Sequence, residues 1–224
     1  DTFESTAIPG YEIKNILKMA GGNPFFIEEW IAYITSHQEK EDVSIEEILK
    51  KYPVPTSLNS IILSRIDTLD ETAKGALQAA SIMGMQFHVP ILKKLSDRLD
   101  NVSNIDSSMK LFVESEIILK ESEGLYVFKS AIAKDVIYEA MLKSNRKMLH
   151  LEIGNLMEEI YADNLDSYYY ELAEHFHKSE ELDKAVTYLE KSGEKAKSVY
   201  ANKLTTDYYT ILLEILRDSN YTHN

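Results

Sequence analysis

Gly21-Gly22-Asn23-Pro24 divides the first part of the chain into two helices, because a helix does not run cheaply through two glycines and a proline. Upstream, Ile13, Ile16, Leu17 and Ala20 recur with helical spacing. Downstream, Phe26, Ile27, Trp30, Ile31 and Ile34 do the same, which predicts a second helix with one buried apolar face. Asn23 is a good N-cap, since its side-chain oxygen can accept from a free amide of the first turn. Pro24 falls at the first helical position, where its missing N–H costs nothing and its fixed φ suits the helix. As a connection between helices the turn needs no other role. Its helix end also offers unpaired N–H groups and partial positive charge, where an anion or a polar ring edge can settle.

The chain of 224 residues is long enough for one large domain or two to three small ones. With 44% hydrophobic and 27% charged residues it has the composition of a soluble globular protein, and no window approaches a membrane span. The start at Asp1-Thr2-Phe3-Glu4 has neither signal-peptide character nor an initiator Met, so the chain reads as a piece of something longer. The absence of cysteine excludes disulfides and thiolate metal sites and predicts a cytoplasmic setting. A net charge of −13 argues against general polyanion binding, which needs clustered Lys and Arg.

Read in order, the pattern predicts a mainly α chain. Residues 11–50 are helical, the last piece capped by Ser44, and Tyr52-Pro53-Val54-Pro55-Thr56 forms an extended linker. Four helices follow: Leu58 to Leu69, a second opened by Asp70 and ending at Met83-Gly84, a third from His88-Val89-Pro90, and a fourth over 107–115. Ile117-Ile118-Leu119 and Leu125-Tyr126-Val127-Phe128, joined through Gly124, make a hairpin, the only β structure expected. Helices followed by one hairpin outline a winged helix. Ser130 then caps a helix with stripe Ile132, Val136, Ile137, Ala140 and Met141, and a long one carries Met148 to Ile160, with Arg146 and His150 a turn apart. Leu172-Ala173-x-x-Phe176, Ala185-x-x-Tyr188-Leu189, Ala196-x-x-x-Tyr200 and Tyr208-Tyr209 alternate small and aromatic residues, as in tetratricopeptide-like hairpins at the beginning of a longer array. The expected division is 1–53, a helical lid; 54–143, the winged helix; and 144–224, the start of the repeats.

No enzyme active site is expected within the chain. His175-x-His177 suggests metal, but residues two apart on a helix diverge and no third ligand is near, so surface or partly buried histidines are expected. Glu28-Glu29, Glu46-Glu47 and Glu158-Glu159 read as solvated faces. Phosphate loops and nucleophile elbows are absent from the sequence. DNA binding would use the helix before the hairpin, whose Lys110 is offset by Glu114, or the third helix with Lys93, Lys94 and Arg98, diluted by Asp97 and Asp100.

Gly-Gly-Asn-Pro-Phe-Phe-Ile-Glu-Glu, then Val54-Pro55, Leu58-x-x-Ile61-Ile62-Leu63-Ser64-Arg65-Ile66-Asp67-x-Leu69 and Ala79-Ala80-Ser81-x-Met83-Gly84, resemble the STAND class, signal-transduction ATPases with numerous domains. The resemblance continues through Tyr126-Val127-Phe128-Lys129-Ser130-Ala131-Ile132, Val136-x-Tyr138, Arg146-x-x-x-x-His150 and the Ala-Tyr repeats. It is nearest to the bacterial branch linked to nucleotide cyclases, protein kinases or transcription activators. What it implies is a non-catalytic regulatory region that follows an AAA-like core. ATP or ADP with Mg2+ would bind in that missing core, with Gly22 and Pro24 on the adenine side. Ser130 stands where relatives have a phosphate-contacting histidine. Implied partners are the chain's own N-terminal core and a protein or small-molecule effector on the repeats, with neither DNA nor membrane. The alternatives are a winged-helix DNA-binding regulator and a repeat scaffold for proteins.

Overall fold

A computed structural model describes residues 17–18, 20–41, 47–48, 51 and 57–217. The Ser44 cap, the linker over 52–56 and the Ile13–Ile16 part of the first stripe lie outside the described residues.

The chain is mainly helical with one small sheet. Gly21 and Gly22 take φ of 54° and 85°, left-handed values that glycine adopts without strain, and the chain turns there into α1 (Pro24–Glu41). The expected cap forms: Asn23 Oδ1 accepts from the Phe25 amide at 3.0 Å. Phe26, Trp30, Tyr33 and Ile34 of α1 are buried with Ala20, Ile48 and Ile61 in a small core of their own. Two members of the predicted stripes are not: Leu17 is exposed, and so is Ile31, since the buried arc of α1 runs through Tyr33 instead.

α2 (Leu58–Asp67) opens on a capping box between Ser57 and Ser60, and Asp70 Oδ1 accepts from the Ala73 amide at 2.8 Å to open α3 (Glu71–Met83). Next come β1 (Gln86–His88), α4 (Val89–Ser96), α5 (Ile105–Glu114), β2 (Ile118–Ser122) and β3 (Leu125–Phe128). The hairpin is therefore not the only β structure. β1 pairs antiparallel with β3, Gln86 opposite Val127 and His88 opposite Leu125, giving the order β1-β3-β2. Three residues with one buried Phe87 are too short for a period-2 signal to register. Helix α3, this strand, α4, α5 and the hairpin make the winged-helix arrangement. α5 begins two residues before the expected Ser107, behind Asn104 at a φ of 51°.

After the sheet, Ser130 Oγ accepts from the Ala133 amide at 3.2 Å and opens α6 (Ala131–Ala140). Then follow α7 (Lys143–Ile160), a 3-10 turn over Ala162–Tyr168, α8 (Tyr169–Ser179), α9 (Leu182–Ser198) and α10 (Asn202–Arg217). Each of these long helices packs on the next across a short connection. One core runs from Ile62 through both the winged helix and these hairpins to Ile215. Arg98 adds a surface tie, its guanidinium bonding Glu152 at 3.2 Å and Glu159 at 2.5 Å on α7.

Small-against-aromatic packing holds the hairpins, though at two glycines that the predicted pattern did not include. A Cβ on Gly154 would stand 2.9 Å from the buried Phe176 ring, and one on Gly193 2.8 Å from Tyr209. Tyr200 departs from the pattern: it lies just past α9 with a φ of 58° and is exposed, so it fills no gap. Gly154→Ala is expected to cost about 1–2 kcal/mol by overpacking. Phe176→Leu shrinks the opposing group, so the double variant should lose less than the two single losses added. Urea unfolding of the four proteins checks this, and strict additivity would refute the contact. Among the described residues, no helix is long and apolar enough to cross a membrane.

Candidate functional site

A wide concavity lies between α1 and the winged helix. Arg65, near the end of α2, reaches across its base. Its Nη1 donates to Glu29 Oε2 at 2.5 Å, and its Nη2 donates to the Ser115 carbonyl at 2.7 Å, at the end of α5. The two charged side chains keep only 10% and 13% of their exposure, so this is a shielded pair. One guanidinium thus fastens α1 to the winged helix, and its planar fork suits two acceptors on different elements. Lys129, just after β3, donates to Glu116 at 2.5 Å and holds that carboxyl below the usual carboxylate range.

Around these two pairs lie two cavities. The smaller touches Glu29, Arg65, Glu116, Lys129, Ser130 and the side of α6. The larger, a groove of about 860 Å3, has α1 as one wall, with Phe25, Glu28, Ile31 and Thr35. Thr68, Leu69 and Asp70 form its floor, and Leu111, Glu114 and Ile117 its far wall. Ala73 and Thr72 donate to Asp70 and keep its carboxyl below the usual range.

Of the residues singled out in the sequence, Ser130 lines the smaller cavity while its oxygen serves as the cap of α6. Gly22 and Pro24 are exposed at the amino end of α1 and line neither cavity. Among the described residues, a Cβ at Gly21 or Gly22 would meet nothing within 4 Å, so they leave the turn an open face. Of the basic residues on and just after α4, Lys93 pairs with Asp106 and Arg98 with Glu152 and Glu159, while Lys94 is exposed.

A second cluster escaped the sequence reading. His150 on α7 and His175 on α8 are both buried, 1% and 7% exposed, with their Nδ1 atoms 2.9 Å apart. His150 Nε2 lies 3.1 Å from the Tyr138 hydroxyl of α6. Only one proton fits between two Nδ1 atoms, so one ring donates and the other accepts. Burial pushes both histidines down, His150 to about 3 and His175 to about 4, and their mutual repulsion adds to the shift of His150. His177, by contrast, is exposed, as its divergence from His175 requires. A signal existed, since His150 follows Leu149 and His175 precedes Phe176 within apolar stripes. The pairing of two helices 25 residues apart is what spacing could not reveal. Among the described residues no group of three or more His, Asp or Glu could hold a metal ion.

No family model matches the chain, and no solved structure matches it. The chain is similar to an uncharacterized protein of Rhizobium meliloti (strain 1021), 26% identical over 136 residues. That match covers 59% of this chain and 13% of the relative, so the chain spans a small part of the relative's length.

Proposed function

We propose that this chain is a regulatory, non-catalytic region of a STAND-type signalling ATPase. In this reading it couples the nucleotide state of a preceding AAA-like core to an effector on the helical hairpins. The observation that carries it is the Arg65 fastening. It ties the helix bearing the Gly22-Pro24 turn to the winged helix, so a group held at that turn can bias how the two pack. The order of a capped helix after a glycine break, a winged helix and small-against-aromatic hairpins also supports it.

The residues present fit an adenine nucleotide in such a core. The open face at Gly22 and the Pro24 ring suit the flat edge of a base. Ser130 spends its oxygen on the Ala133 amide and keeps a hydroxyl proton to donate to a phosphate. ATP or ADP with Mg2+ would supply the energy of exchange, and its two forms would set the bias by their different contacts. With Lys93 turned to Asp106 and Arg98 to Glu152 and Glu159, Lys94 alone of the three basic residues proposed for a duplex is left without an acidic partner among the described residues, too little for phosphate binding.

The test is Pro24→Ala in a protein that carries this chain behind its nucleotide-binding core. ADP affinity by calorimetry should fall about tenfold, the loss of one ring contact. An unchanged affinity refutes the adenine role. A salt-dependent shift of duplex DNA by the unaltered chain would favour a DNA-binding regulator instead.

A further inference from the structure

We infer that the groove between α1 and the end of α5 docks a basic, amphipathic helix from a partner protein. The argument starts with what the groove leaves unsatisfied. Its cations, Arg65 and Lys129, are already bonded to Glu29 and Glu116. Glu28, Asp70 and Glu114 remain as excess negative charge along the two walls and the floor. Glu28 has no cation beside it among the described residues, and Glu114 meets only the exposed Lys110, across 3.7 Å. Asp70 spends one oxygen on the start of α3.

Backbone dipoles do not decide the sign, because α2 and α5 end at Thr68 and Ser115 while α3 opens at Asp70 and α1 just before Phe25; the side-chain carboxylates do. Between the charges lie apolar groups left partly exposed: Ile31 at 46% on α1 and Leu111 at 37% on α5, with the half-buried Phe25 nearby. Ile31 belongs to the apolar stripe of α1 yet faces this opening instead of the core. An acidic rim around facing apolar side chains is the complement of a helix with Leu on one face and Lys or Arg flanking it. A small organic cation would leave Ile31 and Leu111 uncovered together, and an acidic or uncharged helix would bury Glu28 and Glu114 unpaired. The inference concerns the groove alone and does not rest on the ATPase reading.

The probe is a fluorescein-labelled synthetic helix of about 15 residues with Leu at i, i+3, i+4 and i+7 and Lys elsewhere. Titrated with the 224-residue chain and read by anisotropy, it should bind saturably and weaken as salt rises. Glu28→Lys with Glu114→Lys should raise Kd about tenfold or more, and Ile31→Asp should do the same. All three positions are exposed or at the surface, so thermal melting should hold, and Glu28→Gln with Glu114→Gln gives a milder second reading. Equal binding by a peptide with Glu in place of Lys overturns the inference. So does equal binding by a scrambled Lys–Leu peptide, which would reduce the effect to net charge. Unchanged affinity in the variants places the peptide elsewhere and equally defeats it.

Discussion

Lowering the pH from about 7 to about 5 is expected to cost the fold on the order of 4 kcal/mol, through His150 and His175 alone. Unfolded, each histidine titrates near 6.5; folded, burial holds them at about 3 and about 4. A folded value below the unfolded one means that the native state binds fewer protons. Stability is therefore full above about pH 6.5 and is lost as the pH falls toward the folded values. The geometry explains why protons are refused. The rings meet Nδ1 to Nδ1 at 2.9 Å, so a proton on both nitrogens would set two donors face to face. At His150 the charges of Lys178 on α8 and Arg146 on α7 push the same way as burial, while at His175 Glu174 favours the proton more than Lys178 disfavours it, but burial outweighs both. Because Tyr138, His150 and His175 come from α6, α7 and α8, the lost stability lies where the winged helix meets the hairpins. Urea midpoints measured from pH 7 to pH 5 check this. His150→Gln with His175→Leu should flatten most of the profile, and a wild-type midpoint that does not move would refute the buried pair.

That histidine pair also shows where sequence reading ends. Caps are local, and Asn23, Asp70 and Ser130 each formed the bond their position implied, because the donor lies two or three residues away. The small-against-aromatic rule likewise foretold close packing, although the contacts use Gly154 and Gly193, outside the pattern, while Tyr200 stays in solvent. What no periodicity encodes is which distant side chains meet. Arg65 reads as one more residue of a helical stripe, yet it spans 36 residues to Glu29 and 50 to Ser115. Ile31 illustrates the opposite error, since a stripe wide enough to look buried was partly the wall of a groove. Gly22, Pro24 and Ser130 could be proposed only by resemblance. Their local geometry is that of good caps and turns, which serves a nucleotide site and an ordinary helix end equally well.

The largest single-residue effect is expected at Gly75, and its sign runs against intuition. In an exposed helix interior, Gly→Ala gains about 1 kcal/mol because glycine has more backbone entropy to lose. Gly75 is buried within α3, where an added Cβ would lie 1.9 Å from the Asn101 carbonyl oxygen and 2.9 Å from its carbon. A flexible side chain could swing away from such a clash; a peptide group cannot. Asn101 is held by its neighbours: Val102 is fully buried and its amide donates to Leu99 at 3.0 Å, and Asn104 sits in the left-handed region to open α5. For Ala to fit, this loop must retreat and draw α5 from its packing on α3, which exposes part of the core around Val102 and Ile105. We expect Gly75→Ala to lose about 3 kcal/mol or more, the overpacking cost exceeding the helical gain severalfold. Urea unfolding decides it. A variant as stable as the parent would mean that Asn101 does not approach α3 this closely. A destabilised one should also weaken the docking of a basic helix, because α5 carries Leu111 and Glu114 into the groove.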